Sequence, residues 1–132
     1  MSTELIILPG PRPTGYAEAR IGRGRALHVA GQVGWKAGVF EAADLVGQFA
    51  QALDNVLAIL AVAHAHPSDI AEMTIYVTDV VAYRAARRDI GKVWRDRLGA
   101  HFPAMALLGI SALVEPDALV EIQCVAYPEH DE

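Results

Sequence analysis

Glu121 is an acidic residue inside an apolar stretch near the end of the chain, and it is the first candidate for chemistry. Its neighbours Val120 and Ile122 predict a half-buried strand, where a carboxylate is costly unless it is paired or hydrogen-bonded. The residues alone leave two interpretations open. The carboxylate points to solvent or pairs across a subunit boundary, or it orients a water or a ligand amine in a cleft.

The other reactive side chains form no recognisable catalytic or metal-binding pattern. His64 and His66 are two residues apart at a predicted helix end, so they do not share a helix face. Ser111 and Cys124 have no base near them in the sequence, and a nucleophile needs an activating partner. Phosphate-loop, dinucleotide-binding and nucleophile-elbow motifs are missing. The sequence therefore predicts no metal site.

Composition limits the class of protein. A length of 132 residues predicts one domain over residues 1–132, with enough chain for a core. The net charge of −5 argues against a nucleic-acid binder. The arginine and lysine residues between positions 84 and 97 have the spacing of a solvated helix face. We expect no signal peptide and no membrane span, since no run in the sequence comes near the roughly 20 apolar residues that cross a bilayer. The single cysteine suits the reducing cytoplasm.

Hydrophobic periodicity predicts the element order β-β-β-α-β-α-β-β and hence an α+β fold. The predicted strands are residues 4–9, Tyr16–Ile21, Ala26–Gln32, Met73–Val77 and two more within the stretch from His101 to Gln123; the predicted helices are about residues 45–65 and Val81–Leu98. We expect the second and third strands to form a hairpin. We expect the last two strands to form another, with Met105 directly opposite Glu121.

Two helices are too few to cover both faces of one mixed sheet. If both helices lie on one face, the other face needs a different cover. The chain is 53% hydrophobic, and obligate interfaces between subunits resemble a core cut in half. We therefore expect self-association.

Five sequence blocks resemble the Rid family, whose members are also called YjgF-like or L-PSP-like proteins. The blocks are LHVAGQVG (27–34), QALDNVLAIL (51–60), AEMTIYVTDVVAYRAARR (71–88), FPAMA (102–106) and ALVEIQCVA (118–126). The resemblance covers about residues 15–126. It implies a chorismate-mutase-like (YjgF-like) fold and a homotrimer. In such a trimer the sheets form a central barrel, the helices lie outside, and ligand clefts lie between subunits.

The resemblance also implies an activity and its residues. The best-known members hydrolyse enamines and imines, such as 2-aminoacrylate, to keto acids and ammonia without a cofactor. Some members carry the older name endoribonuclease, which the acidic charge of this chain does not support. By position, Tyr16 resembles the family's cleft tyrosine, and Gly31 the glycine whose backbone approaches the ligand. Glu121 resembles the acid that positions the attacking water.

Three positions depart from the family pattern. Ala30 replaces a serine, Met105 replaces the arginine that clamps the substrate carboxylate, and Leu107 replaces a cysteine. A thioether cannot imitate a bidentate arginine–carboxylate pair. With Trp35 and Phe102 also expected at the cleft, the ligand should be larger, aromatic or acyl-like. Its carboxylate would be absent or bound elsewhere.

Two functions stay open at this point. One is a hydrolytic deaminase that acts on a non-standard enamine or imine, favoured by the presence of Glu121. The other is a non-catalytic trimer that binds a small metabolite or a partner protein, favoured by the changes at residues 30, 105 and 107.

Overall fold

The computed structural model describes residues 2–129, and its elements follow the predicted order. The strands are β1 (Thr3–Ile6), β2 (Ala19–Gly22), β3 (Leu27–Val33), β4 (Ile70–Val77), β5 (Ala104–Gly109) and β6 (Val120–Ala126). The helices are α1 (Leu45–Val62) and α2 (Val80–Leu98), and a short 3-10 turn at Pro67–Asp69 precedes β4. The α+β class and the β-β-β-α-β-α-β-β order are confirmed.

The strands form a mixed four-stranded sheet with the order β3-β6-β4-β5 and a separate antiparallel pair of β1 and β2. β4 and β5 are parallel, because α2 carries the chain back between them, whereas β6 is antiparallel to both of its neighbours. A parallel bridge between Ala17 and Ala104 connects the segment before β2 to the edge strand β5. Two helices packed on one mixed sheet are the arrangement that the sequence predicts.

The predicted hairpin between the last two strands is wrong. β4 lies between β5 and β6, so Met105 is opposite Met73, and Glu121 is opposite Tyr76. The connection from residue 110 to residue 119 is longer than a hairpin loop of two to five residues, which gives the chain enough length to pass β4. The alternation of apolar and polar residues identifies β5 and β6 as strands, but it does not determine which strand lies next to each.

The predicted hairpin between β2 and β3 is also wrong. β2 pairs with β1, where Thr3 lies opposite Gly22, whereas β3 pairs with β6. Val29 and Val33 of β3 are buried, while Ile21 of β2 is 55% exposed. The apolar side chains of β3 therefore favour pairing with the larger sheet, which β3 joins as an edge strand.

Helix α1 provides most of the cover on the sheet. It begins after Asp44, and Phe49, Leu53, Val56 and Leu60 are each at most 1% exposed, at the spacing of one helix face. By length and composition alone α1 could also cross a membrane, since its mean hydropathy is 1.5 over 18 residues. This corrects the expectation that no segment approaches that length. The packing of its apolar face on the sheet identifies α1 as a core helix.

Candidate functional site

A β-bulge in β3 shapes the first part of the site. Between Val29 and Gln32, two residues of β3, Ala30 and Gly31, lie opposite the single residue Gln123 of β6. A bulge re-aims the strand and leaves the extra residue outside the regular ladder of hydrogen bonds. The sequence-predicted residues Ala30 and Gly31 are therefore exposed at a local irregularity.

Gly31 packs directly against the side chain of Glu121. A Cβ added at residue 31 would overlap the carboxylate, with Cδ of Glu121 only 2.6 Å away. An alanine here would therefore force the Glu121 side chain to move. The Glu121 side chain is half-buried, and within residues 2–129 it makes no hydrogen bond or ion pair. Its oxygens can therefore accept hydrogen bonds from a water or a ligand.

Two polar side chains of α1 hold the strands that carry this pair. Gln48 is 1% exposed; its Nε2 donates to the carbonyl of Asp117 (2.9 Å), and its Oε1 accepts from the amide of Leu119 (2.8 Å), just before β6. Asn55 Nδ2 donates to the carbonyl of Val33 (3.0 Å) at the end of β3. These buried hydrogen bonds connect one helix to both strands and so fix the position of Gly31 relative to Glu121.

A cleft of about 650 Å³ between β5 and α2 contains the second part of the site, and we call it the α2 cleft. Its lining includes four sequence-predicted residues, Tyr16, Phe102, Met105 and Leu107. The ring of Trp94 on α2 stacks parallel to that of Phe102, with 6.0 Å between the centroids. The cleft therefore has the apolar lining expected from Met105 and Leu107, in the size range of small-molecule sites.

The two parts lie on opposite faces of the sheet. Glu121 is opposite Tyr76, and Leu107 is opposite Ile75. Successive residues of a strand point to opposite faces, so Ile75 and Tyr76 separate the two sets. Within one chain, Glu121 does not reach the α2 cleft or Met105.

Trp35 belongs to neither part of the site in one chain. It lies in the loop after β3, where its ring is 5.6 Å from that of Phe40 and its carbonyl accepts from Asn55 Nδ2 (2.8 Å). Tyr16 is 42% exposed and also lines a neighbouring cleft of about 400 Å³ with Arg20. The tyrosine therefore stands between two clefts.

The lone thiol is unsuited to nucleophilic catalysis. Burial raises the pKa of Cys124 to about 12, and the charge of Glu72 acts in the same direction. A protonated thiol is a weak nucleophile. Over residues 2–129, no three His, Cys, Asp or Glu side chains come together as a metal site.

Helix α2 lines the cleft with residues that are not in the sequence-predicted set. They follow each other at intervals of four: Tyr83, Arg87, Gly91 and Arg95. Residues four apart lie on the same side of a helix, so this spacing is the sequence signal for them. Arg87 and Arg95 are exposed, as the solvated-face interpretation predicts, but their side of the helix borders the α2 cleft.

The fold and the two-part site define a small α+β protein whose open cleft fits a small molecule, and the comparisons identify the family. The chain matches the endoribonuclease L-PSP family over residues 11–128 and belongs to that family. It is similar to a RutC family protein of Pyrococcus horikoshii, with 31% identity over 121 residues, covering 90% of this chain and 92% of that protein.

Solved structures agree with this assignment. A Rid family protein of Yersinia pestis, YyfB, of unknown function, has a TM-score of 0.85 and 30% identity, covering 96% of this chain and 99% of that one. A YjgF/YER057c/UK114 family member of Mycobacterium tuberculosis has a TM-score of 0.64 and 31% identity, covering 86% of this chain and 87% of that one. The chain is thus a Rid/YjgF-like member of the L-PSP family.

Proposed function

We propose that this protein is a cytoplasmic homotrimer that hydrolyses an enamine or imine in clefts between its subunits, without a cofactor. The observation that carries the proposal is the carboxylate of Glu121, which rests against Gly31 and has no partner within residues 2–129. A half-buried carboxylate without an internal partner suits the placement of a water molecule. A lone free cysteine suits the reducing cytoplasm.

A subunit interface would unite the two parts of the site. Glu121 and Gly31 lie on one face of the sheet, and Tyr16 and Met105 lie beside the α2 cleft on the other. In a closed trimer, the first pair of one subunit would lie against the α2 cleft of the next. This arrangement supports the trimer implied by the family, because one chain alone leaves the site incomplete.

The reaction needs only a base and a bound water. Protonation of an enamine at carbon gives an iminium ion, which is also the protonated form of the imine. Glu121 then accepts a proton from water as the oxygen attacks the iminium carbon, which forms a neutral carbinolamine. Glu121 returns that proton to nitrogen, and the carbon–nitrogen bond breaks as the hydroxyl group gives up its own proton to the carboxylate, so the products are a ketone and ammonia.

Met105 and Leu107 set the expected substrate range. Both side chains line the α2 cleft, where a cationic clamp for a small imino acid would have to be. Small, strongly polar substrates gain little from an apolar surface. We therefore expect 2-aminoacrylate to be hydrolysed near the background rate, and imines with a large apolar group to be preferred.

The test is hydrolysis of imines generated in the assay by an amino-acid oxidase from phenylalanine or leucine. Wild-type protein should accelerate imine loss, and Glu121→Gln should lower the rate by about 100-fold or more, as expected for loss of a general base. The matched control is Glu72→Gln, which removes an exposed carboxylate from β4. Both variants should keep the mass and melting temperature of the wild type.

The alternative function is a non-catalytic trimer that binds a small metabolite or a partner protein. The replacements Ala30, Met105 and Leu107 favour it, since each removes a polar group that the family resemblance implies. This alternative would be supported if the wild type binds the keto-acid products but does not raise the rate of imine hydrolysis above the uncatalysed background. A large fall in melting temperature for Glu121→Gln, with hydrolysis unchanged, would assign Glu121 a purely structural role.

A further inference from the structure

The α2 cleft has an apolar floor and a basic wall. Ile75, Met105 and Leu107 contribute to the floor from the sheet, and Trp94 and Phe102 extend it. The wall is the row of residues on α2 at intervals of four, with Tyr83, Arg87, Gly91 and Arg95. Such a surface fits a ligand that is apolar over most of its length and negatively charged at one end.

Gly91 makes room for the guanidinium group of Arg95. A Cβ at residue 91 would lie 3.3 Å from Nη1 of Arg95, so the arginine side chain lies back across the glycine. Arg87 and Arg95 both belong to the lining of the cleft, on the same wall.

Neither guanidinium group is neutralised by a residue in the described range 2–129. Arg87 and Arg95 have no carboxylate partner among residues 2–129, whereas Arg97 pairs with Asp54 at 2.7 Å. Burial raises the pKa of Tyr83, and the nearby positive charge of Arg87 acts in the opposite direction. The wall therefore presents two unpaired cations to a ligand.

Other cations are less suitable. Arg20 lines the neighbouring cleft, and its Nε already donates to the carbonyl of Phe102 (2.9 Å). Lys36 is exposed in the loop after β3, outside the α2 cleft of its own chain. Among the cationic side chains of residues 2–129, Arg87 and Arg95 are the two that line the α2 cleft.

We infer that Arg87 and Arg95, on either side of Gly91, bind the carboxylate of an amphipathic 2-imino or 2-keto acid whose apolar side chain lies on Met105 and Leu107. The inference rests on the proposed function, and it names the substrate class for the same cleft. Arginine is suited to this role because its planar donors match a carboxylate. The cation that is missing at residue 105 would be supplied by the helix on the other side of the cleft.

The experiment compares the affinities of two small molecules by isothermal titration at low ionic strength. Phenylpyruvate carries the carboxylate, and phenylacetone has the same ring and ketone with a methyl group in its place. The wild type should bind phenylpyruvate about tenfold more tightly or better, equivalent to one strong charge-assisted contact. The double variant Arg87→Gln/Arg95→Gln should abolish this difference in affinity and leave the affinity for phenylacetone unchanged. Added salt should reduce the difference that the wild type shows.

Arg88→Gln is the matched control, because Arg88 is an exposed arginine of α2 that does not line the cleft. Its affinities should equal those of the wild type. Three results would overturn the inference. The wild type could bind both compounds equally well, it could fail to bind phenylpyruvate, or Arg88→Gln could lose the preference for phenylpyruvate as the double variant does.

Activity separates this inference from the proposed function. If arginine-dependent binding of phenylpyruvate is found but imines are not hydrolysed, the inference holds and the proposed hydrolysis is wrong. If hydrolysis depends on Glu121 while the two-arginine variant keeps full affinity and rate, the proposed function holds and the inference is wrong.

Discussion

At the scale of single residues, one contact decides the character of the site. Gly31 and Glu121 are 90 positions apart by their numbers, and the bulge in β3 places them in contact. The absence of a side chain at residue 31 keeps the carboxylate accessible beside exposed backbone. A close contact restricts residue 31 less than a left-handed backbone would, because the Glu121 side chain can move away from an added Cβ.

We predict that Gly31→Ala lowers imine hydrolysis by about tenfold or more, because the new methyl group displaces the Glu121 carboxylate from its place. The cost in stability should be small, about 1 kcal/mol, since the displaced side chain is flexible and half-buried. Ala30→Ser is the control at the adjacent exposed position and should retain activity. Steady-state kinetics and urea unfolding provide the two measurements, and full activity in Gly31→Ala would contradict the prediction.

At the scale of elements, His101 connects the end of α2 to the start of β4. Its Nε2 lies 2.8 Å from the carbonyl of Ile70, which can only accept, so Nε2 carries the proton. Burial lowers the pKa of His101, and Arg20 acts in the same direction. The hydrogen bond to Ile70 and the charge of Asp69 oppose these effects without cancelling them. The fold therefore favours the neutral ring.

This shift predicts how stability depends on pH. The unfolded chain takes up the proton at a higher pH than the folded chain, so the contribution of His101 is present above about pH 6.5 and is lost as the pH falls through the lowered value. The difference in unfolding free energy between wild type and His101→Gln should therefore shrink on acidification. Urea titrations at fixed protein concentration measure it, with exposed His28→Gln as the control. A difference that grows on acidification would contradict the prediction.

At the scale of the whole molecule, assembly is the central question. Glu121 and Met105 lie on opposite faces of one sheet, so a single subunit contains two incomplete parts of the proposed site. Part-buried hydrogen bonds from α1 hold the strands that carry Gly31 and Glu121. Closing the site within one chain would require unfolding the sheet, which association of subunits avoids.

We predict that light scattering will give a mass of about three times 14.2 kDa at micromolar concentration, as expected for a closed ring of identical subunits. Mixing Glu121→Gln with the two-arginine variant and exchanging their subunits should restore part of the activity. At some interfaces, an intact Glu121 from one subunit then meets an intact α2 cleft from the other. Each variant alone serves as the control. A stable monomer, or full activity in a monomer, would contradict the prediction.

The sequence by itself determined the elements and the family, and it predicted Glu121 as the candidate acid. Periodicity reports which side of each element is buried, and the spacing of Phe49, Leu53 and Val56 is sufficient to place α1. Position within the family blocks is sufficient to single out Gly31 and Glu121. These features depend on residues close together in the chain.

Only the tertiary structure decided which strands are neighbours. Alternation in β5 and β6 is compatible with a hairpin, but β4 lies between them and is parallel to β5, to which α2 connects it. That order separates Glu121 from Met105 and brings Arg87 and Arg95 beside the cleft. The physical reason is that strand order depends on contacts between distant segments, whose combined burial no local pattern encodes.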